Sequence, residues 1–177
     1  IEVIRPCNSN PHDFTFATQL FPGTYKVYAS GYHNGYSNLP TTMQVIYDKL
    51  VVNKPTPNLV LDIKTHAVSG SVTLNGKTPQ FGQYCTSKSS SKYLRVRFSE
   101  INFGYNIEVI RPCNSNPHDF TFATQLFPGT YKVYASGYHN GYSNLPTTMQ
   151  VIYDKLVVNK HTPNLVLDIK THAVSGS

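Results

Sequence analysis

The 177 residues include no tryptophan, two methionines and three cysteines, and only 14% of the side chains are charged. So few charges argue against a disordered polyelectrolyte and against long helices laced with ion pairs. With 12 prolines, 11 glycines, 13 tyrosines and nine phenylalanines, the balance is that of a turn-rich β protein. No run of about 20 apolar residues occurs, which excludes a membrane-spanning helix. No stretch joins a basic start to a short apolar run in the manner of a secretory leader.

Patterns that carry chemistry are missing too. HExxH and GxSxG are absent, and no two histidines stand four apart. Nine acidic residues without DxDxDG spacing leave little for calcium, and no CxxC suggests zinc. Asp119 follows His118, but neighbours on a strand point to opposite faces. The expectation is no catalytic residue, no metal, no cofactor and no enzyme. Net charge is +6, yet the lysines and arginines are scattered rather than clustered. Arg95 and Arg97 alternate with Val96 and Phe98, the pattern of a solvated strand face, and no nucleic-acid partner is expected.

What the sequence does contain is a repeat. Residues 1–71 recur as 107–177 with one change, Pro55 in the first copy against His161 in the second. The offset is 106 residues, and 72–106 occur once. That period exceeds the roughly 20–50 residues of solenoids and matches a small domain. The expected organisation is therefore a first repeat at 1–64 that lacks its first strands, a complete repeat at 65–170, and the start of another at 171–177.

Through the complete repeat, strand patterns fall at 68–74, 93–101, 105–110, 119–126, 130–136 and 164–169. Residues 149–158 make one long strand or two short ones. Alternation sends Phe120, Phe122 and Leu126 inward and puts Tyr131, Val133 and Ala135 on one face. Asn75-Gly76 and Pro128-Gly129 are turns, while 78–92 and 137–146 read as loops. No helical periodicity with caps appears. The expected fold class is all-β, with tandem antiparallel seven-stranded β-sandwich domains, Ig-like or prealbumin-like.

Each repeat holds two cysteines, Cys85 and Cys113, and Cys7 is the copy of Cys113. An even count per turn-rich domain reads as one disulfide in an oxidising, extracellular setting. Its closed loop is worth about 3.5 kcal/mol on chain entropy. Cys7 is left unpaired or pairs with another chain. One binding surface is expected at loop 31–40 and its copy 137–146. There Tyr32, Asn34 and Tyr36, with Tyr138, Asn140 and Tyr142, have the mix of rings and amides that stacks on sugars. The plainer alternative is a tyrosine plugging the sandwich end among turn residues.

The stretches VSGSVTLNGKTP and FPGTYKVYASGY resemble the carboxypeptidase regulatory-like, transthyretin-like domains, and B-type repeats of bacterial surface proteins open and close in similar ways. The resemblance spans the repeat, apart from the Ser/Lys-rich loop bearing Cys85. It implies a prealbumin-like sandwich used in tandem on secreted bacterial proteins as stalk, spacer or binding module, without catalytic residues. The resulting expectation is an extracellular or cell-surface structural protein, the shaft of a fibre, filament or stalk-like adhesin. It would self-associate with identical subunits or form a continuous array, with strand complementation at the truncated first repeat. The alternative is a carbohydrate-binding module array.

Overall fold

A computed structural model describes residues 3, 15–31, 39–40, 43–86, 88–114 and 120–176. Among them the regular elements are strands alone: β1 Gly23–Ala29, β2 Gln44–Val52, β3 His66–Leu74, β4 Lys92–Glu100, β5 Asn106–Pro112, β6 Thr121–Leu126, β7 Gly129–Gly137, β8 Gln150–Val158 and β9 Thr162–Ile169. The molecule is all-β, as its composition predicts. It divides into two compact units, Ile1–Ile63 and Lys64–Ser177.

In the second unit one sheet has the order β6-β3-β9 and the other β5-β4-β7-β8. Period-2 alternation decides what each strand buries. Along β4, Val96, Phe98 and Glu100 are buried while Arg95, Arg97 and Ser99 are half-exposed. The inward residues form one cluster. Val68, Val72, Phe122, Leu126, Leu167 and Ile169 come from the first sheet, and Tyr93, Val96, Phe98, Tyr131, Val133 and Val158 from the second. Each fully buried large side chain contributes about 1.5–3 kcal/mol. Phe120, Phe122 and Leu126, predicted to point inward, are buried, and so are Tyr131, Val133 and Ala135, predicted to share one face.

Two details correct the sequence reading. The expected antiparallel arrangement fails at β3 and β9, which run parallel, with Gly70 opposite Leu165 and Leu74 opposite Ile169. Apolar alternation encodes which face is buried, not strand direction. Parallel neighbours need a long crossover, and the five strands between the first and last supply it. Gly70 makes the pairing possible: a Cβ there would lie 1.8 Å from the Leu165 carbonyl oxygen. The strand expected at 105–110 extends to Pro112, opposite Lys92. β5 is an edge strand, where a residue without an N–H costs no ladder bond.

Cys85 and Cys113 are joined, 5.3 Å apart at Cα and 28 residues apart in sequence. The bridge ties the β3–β4 loop to the residue after β5. At the far end of β4, Glu100 is 2% exposed and closes the turn into β5. It accepts the N–H groups of Asn102 at 2.7 Å and Phe103 at 2.6 Å. A buried carboxylate satisfied this way holds its turn firmly.

Among the described residues of the first unit, the strands are those of the β1–β2 hairpin. Its register, Gly23 opposite Val52 and Tyr25 opposite Leu50, repeats that of β7–β8, with Gly129 opposite Val158 and Tyr131 opposite Leu156. Residues 15–20 and 56–63 have the sequences of β6 (which is Thr121–Leu126) and β9, yet form no strand. In the second unit both lie against β3. Residues 72–106, which hold β4 and the end of β3, occur once in the sequence. Among the described residues the hairpin pairs as β7–β8 does, and the other two segments form no strand.

Candidate functional site

At one end of the second unit the β3–β4 loop is zipped to the β7–β8 loop by backbone hydrogen bonds. Gly82 N donates to Tyr142 O at 3.0 Å, Tyr84 N to Gly141 O at 3.1 Å, and Asn144 N to Gln80 O at 3.0 Å. Two glycines allow this approach: a Cβ on Gly82 would meet Gly141 O at 2.1 Å, and Gly141 has φ +82°. Stretch 78–92, read from sequence as a loop, is thus held along much of its length by these bonds as well as by the Cys85 bridge.

β4 enters this end with an irregularity between Lys92 and Leu94. Tyr93 and Leu94 are both fully buried, so the alternation skips a beat. Lys92 and Arg95, three apart, consequently reach the same ring. Lys92 Nζ lies 5.0 Å and Arg95 Cζ 5.1 Å from the centroid of Tyr138, within cation–π range. The rings continue outward: Tyr138 to His139 at 4.6 Å, His139 to Tyr142 at 6.1 Å, and Tyr142 to Tyr84 at 5.9 Å.

Of the sugar-binding residues expected from sequence, Tyr138 and Tyr142 are half-buried in this cluster and Asn140 is exposed. Tyr138 is not the free platform its sequence context suggested, because two cations already hold its ring. Tyr32, Asn34 and Tyr36, and likewise Cys7, lie outside the described residues. The sequence reading missed Lys92, Arg95 and Tyr84 as members. Its one available signal was the doubled apolar pair Tyr93-Leu94, which breaks the strand's alternation.

Arg95 and Ser136 sit opposite each other on β4 and β7. Arg95 Nε and Ser136 Oγ are both buried without a hydrogen-bond partner, a costly state for polar atoms. The next arginine on that face, Arg97, differs: its Nε donates to Glu108 Oε1 at 2.6 Å. Among the described residues no carboxylate pairs with Lys92 or Arg95.

The remaining polar features are structural. Burial, helped by the charge of Glu100, pushes the Tyr105 hydroxyl up to about 12. Burial also raises Tyr131, whose hydroxyl donates to Phe127 O at 2.9 Å. Among the described residues no group of three His, Cys, Asp or Glu could hold a metal. An open groove of about 300 Å³ runs past Val72, Pro79, Phe81 and Phe120, without a titratable group in its walls. No helix of the described residues is long and apolar enough to cross a membrane.

Compared with protein-family models, with the curated proteins and with solved structures, the chain matches none.

Proposed function

We propose that this chain belongs to a non-enzymatic structural protein outside the cell, with repeats in series as the shaft of a fibre, filament or stalk-like adhesin. The observation that carries this reading is the junction. After β9, only Lys170 and Thr171 precede His172, the copy of the residue that opens β3. Lys64 and Thr65 join the first copy to the second in the same way. Two non-glycine residues reach about 7 Å at full extension, a short tether rather than a floppy linker. In such an array length grows with the number of repeats.

The finer fold reading is a tandem of seven-stranded, prealbumin-like sandwiches akin to carboxypeptidase regulatory-like domains. The three- and four-stranded sheets of the second unit support it. The disulfide favours an oxidising compartment, while a bacterial cell surface rests on the sequence resemblance. The first copy needs equivalents of β3 and β4. Either the preceding repeat of a continuous array supplies them, or an identical subunit does so by strand complementation. Residues 171–177 repeat 65–71 and so carry the opening of such a strand.

Small-angle scattering on chains of two, four and six whole repeats tests the reading. Maximum dimension should rise in proportion to repeat number, and electron microscopy of the native material should show regular fibres. A radius growing only as the compact-globule power of chain length would sink the shaft. A second reading, an array of glycan-binding modules whose repetition gives avidity, is favoured by the ring cluster around Tyr138 and Tyr142.

A further inference from the structure

The cluster at the start of β4 has a chemistry narrower than sugar stacking. We infer that Lys92, Arg95 and Ser136, with the rings of Tyr138 and Tyr142, form a binding site for an acidic sugar, one bearing carboxylate or sulfate. This rests on the glycan reading and is independent of whether repeats form a shaft.

Three observations point the same way. First, Lys92 and Arg95 converge on one ring and lack a carboxylate partner among the described residues, whereas Arg97 on the same strand face is neutralised by Glu108. An uncompensated pair of cations next to one another lowers its energy by taking up an anion. Second, Arg95 Nε and Ser136 Oγ are buried without partners. A planar carboxylate or sulfate suits the guanidinium fork, giving charge-assisted hydrogen bonds. A neutral sugar has no anionic oxygen to give that fork. Third, the surrounding surface is aromatic. His139 and Asn140 are exposed, and Tyr142 and Tyr84 continue the rings. Such faces pack against the C–H groups of a pyranose.

The same facts disfavour the neighbouring alternatives. A neutral sugar stacked on Tyr138 would compete with the two cations already at that ring. A nucleic-acid backbone needs a track of phosphate contacts, and two cations without a carboxylate partner among the described residues, with Arg97 occupied, do not make one. The site also predicts a stoichiometry. It binds one acidic oligosaccharide per copy of residues 72–106, which carry Lys92 and Arg95, not one per Tyr-rich loop.

The full chain should be titrated by calorimetry, at low and high salt, with oligogalacturonate, a sulfated chondroitin oligosaccharide and neutral maltohexaose. Binding of either acidic probe with one site per chain, and none of maltohexaose, is expected; which acidic probe binds identifies the anion. Arg95→Gln should weaken binding about tenfold or more, the scale of a lost charged hydrogen bond. Lys92→Gln, at an exposed position, should weaken it less while leaving the fold intact. Arg97→Gln removes the same charge one step along and should change affinity less than about twofold. Equal loss in Arg97→Gln and Arg95→Gln would reduce the effect to overall charge and overturn the site. Binding of maltohexaose as tightly as the acidic probes would overturn the acidic specificity while sparing the glycan reading. No binding by any probe would remove both.

Discussion

Residues 15–63 and 121–169 differ at one position, Pro55 against His161, yet they do not share a structure. Phe127 is 1% exposed; its copy Phe21 is 85% exposed. β6 and β9 (Thr162–Ile169) have identical counterparts at 15–20 and 56–63 that form no strand. What survives in both copies is short-range. Tyr25 donates to Phe21 O at 2.7 Å as Tyr131 does to Phe127 O at 2.9 Å. Lys26 pairs with Asp48 at 3.0 Å as Lys132 does with Asp154 at 3.1 Å. Gly31 N meets Pro40 O as Gly137 N meets Pro146 O, both at 2.7 Å. Hairpin, corner and loop base are written locally. The segments that pair with β3 in the second unit form no strand in the first, because strand preference mostly expresses packing against neighbours.

The largest expected effect is a repair. Placing residues 65–106 ahead of Ile1 gives the first copy the β3 and β4 sequences that the second has. It should turn 15–20 and 56–63 into strands with the stability of an ordinary domain, about 5–15 kcal/mol. Amide hydrogen exchange across 15–63 reads it directly; unchanged exchange would mean that something other than the missing strands separates the copies. Next comes one substitution made at both addresses. Phe127→Ala should cost about 3–5 kcal/mol in urea unfolding of the second unit, against less than about 0.5 kcal/mol for Phe21→Ala. Similar losses would show that Phe21 is buried in solution and the two regions are alike.

Smaller is the tyrosine corner. Tyr131→Phe leaves a buried carbonyl without its donor and should cost about 1 kcal/mol, while Tyr25→Phe, where the bond is exposed, should cost a few tenths at most. The subtlest contrast is with pH. Lys170, then the Gly76 N–H and the Thr73 hydroxyl, hold the Asp168 carboxyl down at about 2. A carboxyl lower in the folded state stabilises fully above its ordinary range near 4 and loses that contribution as pH falls from about 4 to about 2. The thermal midpoint of the second unit should drop across that window, and Asp168→Asn should flatten the drop. A slope unchanged by the substitution assigns the acid sensitivity to other groups.

How much was legible in the sequence follows the same division between near and far. Alternation in β4 (Lys92–Glu100) and β7 (Gly129–Gly137) marked Val96, Phe98, Tyr131 and Val133 as inward, and two cysteines per repeat pointed to Cys85–Cys113. Strand direction was not legible, since β3 (His66–Leu74) and β9 meet only after five intervening strands. Nor was the convergence of Lys92 and Arg95, because a bulge shifts which residues share a face and Tyr93-Leu94 looked like ordinary core. The buried role of Glu100 was hidden for a different reason. A carboxylate inside a sandwich is unusual, and only the turn Asn102–Phe103 folding back onto it supplies the donors.

Gly70 and its copy Gly176 show how a constraint can be stored out of sight. At Gly70 any side chain would collide with the Leu165 backbone, whereas at Gly176 a Cβ would meet nothing within 4 Å. Alanine at Gly176 therefore meets no obstacle among the described residues, and would collide only where a last strand docks on it as Leu165 does on Gly70. In a serial protein of this kind, mutational tolerance belongs to a residue's address in the series, and a defect at a junction is inherited by the next unit along.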